Sequence, residues 1–296
     1  MNWQSLPERG SRFWILLIIR ITRWLGRPVA RLLLYPISAY FLLVNNQTRR
    51  ASREFFSRVT GRPACLRDSF RQFHTFAAIL IDRLTILTGD LSPFEISFQG
   101  LEHLESAHQS RKGAVLVGSH FGSFDVLRTF SHGLRQYPVR AIMYGQSTPT
   151  LLSILGAINP KLHEEIRVVP GPAALISLVP ELNKGAMIGL LGDRILPGER
   201  HAWFDFLGSP APFPLTPALV ADVLEVPLIQ FICRHKGFGR YEVQFYVLGD
   251  GPSGPRCERT ERIRRHTLAY VQHLEHHVRA APHNWFNFHD FWSSPQ

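Results

Sequence analysis

The strongest constraint on the fold is an alternation that begins near Phe94, where short apolar segments are separated by longer segments with helical periodicity. This alternation is typical of α/β domains, in which helices cover a mostly parallel sheet. The predicted strands cover residues 94–98, 114–117, 139–144, 166–169, 186–191, 227–233 and 241–247, and the predicted helices cover 123–136, 147–158, 172–183, 216–224 and 258–279. We therefore expect an α/β fold with a mostly parallel central sheet flanked by helices, and ligands beyond the carboxyl ends of its strands.

The first 48 residues have a different character, because their arginines and large apolar residues segregate on a helix. At 100° per residue, the arginines fall within an arc of about 100° and face away from a broad apolar surface. The arginines are Arg12, Arg20, Arg23, Arg27 and Arg31, and the apolar surface carries Phe13, Trp14, Leu17, Ile18, Ile21, Trp24 and Leu25. A basic, aromatic-rich helix is typical of segments that lie in a bilayer interface, and packing on the domain is the alternative.

Pro36 is expected to separate this helix from a second apolar segment over 37–44. The longest uncharged stretch, 32–48, is shorter than the ~20 residues that a perpendicular spanning helix needs. No small-residue cleavage site marks a signal peptide. Residues 49–90 show helical spacing. We therefore predict a membrane-associated helical anchor over residues 1–48 and an α/β domain over residues 49–296.

The chain has a formal net charge of +10, from 33 Lys and Arg residues against 23 Asp and Glu residues. Such an excess suits an anionic membrane surface, an acidic carrier protein or nucleic acid. The basic residues cluster at the N-terminus, over 49–62 and over 256–265, rather than among aromatics on one domain face, so we expect no nucleic acid partner. A non-catalytic peripheral membrane or nucleic-acid-binding protein is the alternative to an enzyme. Three dispersed cysteines without a CxxC pair favour a reducing compartment.

The segment GSHFGSFD follows the strand predicted over 114–117 and places His120 and Asp125 in one strand-to-helix turn. A neutral imidazole can remove a proton from an attacking hydroxyl, and a carboxylate that meets the imidazole can hold its tautomer. The small residues of the turn, among them Ser119 and Gly122, let a ligand and backbone N–H groups approach closely. The spacing alone is weak evidence, since an aspartate in a first helical turn also interacts favourably with the helix dipole.

A second polar pair, Asp193 and Arg194 in LLGDRILPG, follows the strand predicted over 186–191. The pair can bind a phosphate or polarise a thioester carbonyl, and a structural ion pair is the alternative interpretation. Further along, prolines are expected to form a rigid loop before the next helix. These prolines are Pro210, Pro212, Pro214 and Pro217.

Other catalytic chemistries are disfavoured by the sequence. His273 and His277 have the spacing of a zinc pair on a helix, but no third ligand accompanies them, so a solvated helix face is the preferred interpretation. The same holds for His283 and His289. Cys233 lies in a strand-like run and is expected in the core. No G-x-S-x-G, phosphate-loop or dinucleotide fingerprint is present, and we expect neither a metal nor a cofactor.

Taken in order, these segments resemble a known family. GSHFGSFD is similar to the H-x4-D motif of the lysophospholipid acyltransferase superfamily. The basic apolar N-terminus and the segments LLGDR, FLGSPAPFPLTPALVA, VPLIQFICR and PHNWFNFHDFW resemble its lipid A late-acyltransferase branch, from about residue 10 to the end of the chain. GDRILPG stands where the glycerol-3-phosphate branch has a phosphate-binding EGTR-type motif. This difference argues against simple phosphatidate synthesis.

The resemblance implies a membrane-associated acyltransferase at the cytoplasmic face of a bacterial inner membrane. Such an enzyme moves a fatty acyl group from an acyl carrier protein or coenzyme A thioester to a hydroxyl of a lipid acceptor, such as a lipid A-type lipid or another glycolipid or aminolipid. It assigns His120 as general base and Asp125 as the residue that orients it. Asp193 and Arg194 are expected near a substrate head group, and Arg167 resembles an arginine between the two motifs. Anionic membrane lipids and an acyl carrier protein are the expected partners.

Overall fold

The computed structural model describes residues 12–87, 90–130, 138–144, 166–169, 177–251 and 254–293. Its helices are α1 (Arg12–Val44), α2 (Asn46–Thr60), α3 (Leu66–Leu87), α4 (Leu101–Gln109), α5 (Phe124–Phe130), α6 (Val179–Leu182), α7 (Thr216–Val223) and α8 (Arg259–Ala280). Its strands are β1 (Glu95–Gln99), β2 (Ala114–Gly118), β3 (Val139–Tyr144), β4 (Ile166–Val169), β5 (Met187–Leu191), β6 (His201–Phe206), β7 (Ser209–Pro214), β8 (Leu228–Gly237) and β9 (Arg240–Gly249). Short 3₁₀ turns at Arg256–Glu258 and Pro282–Asn284 flank α8.

Seven strands form the central sheet in the order β1-β9-β8-β2-β5-β3-β4, and β6 and β7 form a separate antiparallel pair. Every neighbouring pair in the central sheet is parallel except the β8–β9 hairpin. The middle strand β2 is buried along its whole length, as expected for a strand that helices cover on both faces. The predicted α/β fold with a mostly parallel central sheet flanked by helices is confirmed.

All seven predicted strands are present, but the β6–β7 pair replaces the predicted proline-rich loop. Pro210, Pro212 and Pro214 occupy alternate positions of β7, opposite residues of β6. A strand with a single partner turns every second N–H away from that partner, so a residue without an N–H can occupy those positions. The regular spacing of the prolines is therefore compatible with a strand.

The helix predictions are confirmed in part. The helical spacing predicted over 49–90 corresponds to α2 and α3, and the helices predicted over 216–224 and 258–279 correspond to α7 and α8. The helix predicted over 123–136 begins at Phe124 and is described as far as Phe130. Only the end of the helix predicted over 172–183 is described, as α6, and the helix predicted over 147–158 lies outside the described residues.

The N-terminal helix bends at Gly26, so the expected break at Pro36 is wrong. Gly26 has φ 81° and ψ 167°, whereas Pro36 lies inside the helix. Glycine adopts positive φ without a steric penalty, while proline keeps a helical φ and removes one hydrogen bond. Side chains of residues 12–25 lie outside the described residues, so their amphipathic arrangement stays a prediction. In the described part of the chain no helix alone is apolar and long enough to cross a membrane, and Pro28–Val44 with Asn46–Thr60 qualifies only as a pair bent by 97°.

Arg31 packs inwards, which corrects the expectation that it belongs to an outward arc of arginines. Its Nη2 donates to both carboxylate oxygens of Asp82 on α3, at 3.0 and 2.9 Å. The Tyr241 hydroxyl of β9 donates to the same carboxylate at 3.0 Å. Asp82 is fully buried, and a buried carboxylate is costly without such partners. The second half of α1 is therefore joined to α3 and to the sheet.

Two apolar cores lie on opposite faces of the sheet, and β2 contributes to both. Val115 and Val117 belong to the core that α7, α8 and the β6–β7 pair cover. Leu116 belongs to the core that α3, α4 and α5 cover, as the alternation of strand side chains requires. Trp285 and Phe286 enter different cores. The C-terminal segment therefore crosses the edge of the sheet at which β2 ends.

Candidate active site

His120 stands just beyond the carboxyl end of β2, where the chain leaves the sheet. The preceding Gly118 leaves no room for a side chain, since a Cβ would lie 2.1 Å from the Phe231 ring. The Gly118 carbonyl accepts hydrogen bonds from the Gly192 N–H after β5 and from the Tyr270 hydroxyl of α8, both at 2.9 Å. These bonds join the ends of neighbouring strands. The two polar loops predicted from the sequence therefore meet.

Asp193 contacts His120 through both of its oxygens. Oδ1 lies 2.8 Å from the imidazole Nδ1, and Oδ2 accepts the His120 backbone N–H at 2.8 Å. A carboxylate at Nδ1 favours the tautomer that carries its proton there. Nε2 then holds a lone pair, and the His120 side chain is 27% exposed. A ligand can therefore approach the basic nitrogen of a correctly oriented ring.

The C-terminal segment supplies a third contact to this carboxylate. The Trp285 indole N–H donates to Oδ2 of Asp193 at 3.1 Å, and the indole is fully buried against rings that include Phe55. One residue further on, the Phe286 N–H donates to the His120 carbonyl at 2.8 Å. The Asp193 carboxylate is thus buried and held by hydrogen bonds, which favour its charged form.

Burial and neighbouring charges set the protonation states of the pair. Burial lowers the pKa of His120, and the Arg194 cation lowers it further, while the Asp193 carboxylate opposes both effects. Burial alone would raise the pKa of Asp193, but the charge and hydrogen bonds of His120, together with the Arg194 charge, lower it to about 2. Near neutral pH the pair is a neutral imidazole and a carboxylate, which is the state that a general base requires.

Asp125 does not hold the position at Nδ1 that the H-x4-D spacing predicts. Its carboxylate lies against Arg83 of α3, with 2.7 Å between Oδ2 and Nε and 3.4 Å between Oδ1 and Nη2. Asp125 belongs to the first turn of α5, and α5 packs on α3. The structure therefore corrects the predicted partner of the His120 imidazole, which is Asp193. A contribution of Asp125 to turnover stays a prediction.

Two backbone amides of this turn donate hydrogen bonds within the protein. The His120 N–H donates to Asp193, and the Gly122 N–H donates to the Asn284 carbonyl at 2.8 Å. Gly122 has φ 64°, and a Cβ there would lie 1.5 Å from the Cys233 carbonyl oxygen. This glycine therefore permits close backbone packing. Ser119 is buried beside the histidine, and substrate contacts of Ser119 and Gly122 stay predictions.

The structure brings Arg194 to the pair and leaves Arg167 distant in the sheet. Arg194 Nη2 lies 3.5 Å from the Phe286 carbonyl oxygen, and its charge acts on both His120 and Asp193. Arg167 lies in β4, which β5 and β3 separate from β2. Three strand spacings correspond to roughly 14 Å. The side chain of Arg167 lies outside the described residues, so its predicted role is untested.

Residues 4–294 match the family model described as bacterial lipid A biosynthesis acyltransferase. The chain belongs to this family. The match includes both polar loops and the C-terminal segment, so the contacts of Asp193 with His120 and Trp285 lie within the family region. The resemblance to the lipid A acyltransferase family is confirmed. No curated protein matches the chain by sequence.

In this member of the lipid A acyltransferase family, the C-terminal segment places three buried or half-buried residues around the His120–Asp193 pair. They are Trp285, Asn287 and His289. Trp285 holds Asp193, as described above. His289, predicted on a solvated face, has its pKa lowered to about 3 by burial and then by the Arg194 charge. Between them, Asn287 is 3% exposed and its Oδ1 has no hydrogen-bond partner among the described residues. In the sequence, the mixture of aromatic and polar residues in PHNWFNFHDFW is the signal that could have indicated packing of this segment around the pair.

Cys233 and His277, two further candidate reactive residues of this family member, do not contact the His120–Asp193 pair in the described structure. Cys233 is fully buried, as predicted for a core cysteine, and burial raises the pKa of its thiol to about 12, which disfavours the thiolate form. His277 is half-buried and not solvated as predicted, and its Nε2 lies 3.1 Å from the Tyr246 hydroxyl. Burial lowers its pKa to about 4. Within the described ranges, no three His, Cys, Asp or Glu side chains are grouped as a metal site requires.

Proposed function

We propose that the protein is a membrane-associated acyltransferase that moves a fatty acyl group from a thioester to a hydroxyl of an amphiphilic lipid acceptor. Membership of an acyltransferase family supports the general reaction. The finer proposal is carried by the two 2.8 Å contacts between His120 and Asp193. They hold a neutral imidazole at the carboxyl edge of a parallel sheet, where α/β proteins commonly bind ligands.

In the proposed reaction, the acceptor hydroxyl transfers its proton to Nε2 of His120 while its oxygen attacks the thioester carbonyl carbon. Asp193 stabilises the imidazolium through Nδ1. The tetrahedral intermediate then collapses, the C–S bond breaks, and the leaving thiolate takes the proton from the imidazolium. The products are an ester and a free thiol. The acyl group therefore passes directly from donor to acceptor, without a covalent bond to the protein.

Arg194 is the proposed donor to the oxyanion of this intermediate. Its cation lies close enough to lower the pKa of His120, and a partly buried cation stabilises developing negative charge more strongly than a solvated one. The amides of His120 and Gly122 donate within the protein. The guanidinium is therefore a better candidate than those two amides.

The proposed donor is an acyl carrier protein or coenzyme A thioester, and the proposed acceptor is a lipid A-type lipid or another glycolipid or aminolipid. The net charge of +10 suits an acidic carrier and anionic lipids. The proposed location is the cytoplasmic face of a bacterial inner membrane, where both substrates meet. The chemistry assigned to His120, Asp193 and Arg194 requires no metal or cofactor.

The test is lipid mass spectrometry of membranes from cells that express the wild type, His120→Ala or His201→Ala. His201 is an exposed histidine on β6 and serves as the matched control. We expect a lipid that gains one acyl mass with the wild type and the control but not with His120→Ala. The same lipid in all three samples would contradict the role of His120. If all three proteins are folded and membrane-bound and none produces such a lipid, the non-catalytic alternative is favoured.

A further inference from the structure

The β8–β9 hairpin extends from the same edge of the sheet as the candidate active site. β8 is parallel to β2, and Gly122 pairs with Cys233 of β8. From Cys233 the strand continues to Gly237, which is about 13 Å further at 3.3 Å per residue. The tip of the hairpin therefore stands beyond the edge that carries His120.

The tip presents an aromatic side chain to solvent. Phe238 is 84% exposed, the highest value among the large apolar side chains described. Gly237, Phe238 and Gly239 all have positive φ, of 92°, 47° and 77°. This conformation suits glycine and is unfavourable for a bulky aromatic residue. Neither core packing nor backbone preference explains a phenylalanine at this position.

The tip adjoins α1 at Arg31. The Arg31 guanidinium lies 5.4 Å from the centre of the Phe238 ring, and the same guanidinium binds the buried Asp82. Beyond Arg31 the outward side chains of α1 are apolar, and residues 32–48 include no charged residue. The most exposed of them are Leu32 at 68%, Tyr40 at 60%, Leu43 at 68% and Val44 at 53%. These outward side chains of α1 and the Phe238 ring are together called the α1–tip surface here.

Cations lie beside the hairpin end of the α1–tip surface. Lys236 and Arg240 are exposed on either side of the tip. Two carboxylates accompany them: Glu242 lies 3.4 Å from Lys236, and Glu95 is the neighbour of Arg240 across the β1–β9 pair. Both cations are adjacent to the tip in sequence, so they can reach lipid phosphates when the Phe238 ring is inserted.

Two further cations lie at the other end of the α1–tip surface. Arg50 and Arg53 are exposed in the first half of α2, and they line an open cleft together with Arg49. From Arg31 to Val44, α1 runs for about 20 Å. An apolar surface of this length between two groups of cations is complementary to a bilayer with anionic head groups.

We propose that Phe238 inserts into an anionic lipid bilayer beside the outer face of α1, as a second membrane contact separate from the N-terminal segment. Two contacts at opposite ends of the α1–tip surface fix the orientation of the domain, so that the carboxyl edge of the sheet faces the lipid surface. A lipid head group then reaches His120 from the interface. This inference refines the membrane location proposed above and does not depend on acyl transfer.

The experiment places an environment-sensitive nitrobenzoxadiazole label at the tip of the full-length chain. Phe238→Cys is labelled after the exposed Cys65 and Cys257 are replaced by serine, while the buried Cys233 is retained. Leu268→Cys is the matched control. Leu268 is 40% exposed on α8, and α8 covers the sheet face opposite to the one that α3 covers. Vesicles of phosphatidylcholine with phosphatidylglycerol are compared with vesicles of phosphatidylcholine alone.

We expect a blue shift and a gain of emission at position 238 with the anionic vesicles, and neither change at position 268. In unlabelled protein, Phe238→Ser is expected to raise the lipid concentration for half-maximal sedimentation about tenfold, and Leu268→Ser to leave it unchanged. Sedimentation with vesicles without an emission change at position 238 would overturn the proposal. An emission change without lipid would also overturn it. A change that appears on raising the protein concentration would indicate self-association, and a change on adding carrier protein would indicate that this protein binds the tip.

Discussion

Asp193 contacts His120 twice, at the imidazole Nδ1 and at the backbone N–H, and both distances are 2.8 Å. One carboxylate therefore holds both the imidazole ring and the backbone of His120. That carboxylate follows β5, so the proposed base depends on a neighbouring strand rather than on its own helix.

Asp193→Asn is expected to lower kcat for acyl transfer by roughly 10³–10⁴-fold, because an amide can donate to Nδ1 and so favours the wrong tautomer of His120. Asp125→Asn provides the comparison and is expected to cost less activity than Asp193→Asn, since Asp125 binds Arg83 and not the imidazole. The measurement is transfer from a radiolabelled acyl thioester, with circular dichroism to verify folding. A larger loss for Asp125→Asn than for Asp193→Asn would refute the assignment.

Arg194→Gln is expected to move the acidic limb of the pH–rate profile to higher pH. In the wild type, burial and the Arg194 charge lower the pKa of His120, so the neutral base persists below its ordinary pKa of about 6.5. Without the cation the pKa rises, and activity is lost at a higher pH as the solution is acidified. Arg194→Lys retains the charge and should retain the limb. Identical limbs in the wild type and Arg194→Gln would show that this cation does not act on the base.

Trp285→Phe removes the indole N–H that donates to Asp193 and keeps an aromatic ring in the core. We expect kcat to fall about tenfold with little change in KM, as for loss of one hydrogen bond to a charged group. Trp292→Phe is the matched control, since it removes an indole hydrogen bond to the Phe206 carbonyl in the same aromatic cluster. Steady-state kinetics and thermal unfolding are measured for both. Equal losses of kcat would indicate a packing effect only.

Gly122→Ala is expected to destabilise the fold by about 3–5 kcal/mol or to prevent folding, because a positive φ and a backbone clash act together. The added Cβ would lie 1.5 Å from the Cys233 carbonyl oxygen. Gly198→Ala is the control: its φ is 74° and nothing lies within 4 Å of its Cβ, so a cost of about 1 kcal/mol is expected from φ alone. Urea unfolding provides the comparison, and similar costs for both variants would contradict the close packing at Gly122.

Local patterns were sufficient for the seven strands of the central sheet and for α2, α3, α7 and α8, and they failed where a partner decides the conformation. The apolar run before Gly118 identified β2 because a strand buried on both faces needs only apolar residues. The prolines of β7 predict a loop, but they lie in a strand, because a proline fits a strand when its missing N–H faces away from the partner strand. Pro36 was expected to break a helix that in fact bends at Gly26.

By itself, the sequence determined that His120 follows one buried strand and that Asp193 and Arg194 follow another, since both facts depend on neighbouring residues in the chain. Only the tertiary structure decided that these loops meet and that Asp125 turns to Arg83 instead. His120 and Asp193 are 73 positions apart, and Asp193 and Trp285 are 92 positions apart. Such contacts depend on strand order, which arises from the simultaneous burial of both faces of the sheet and leaves no local pattern in the sequence.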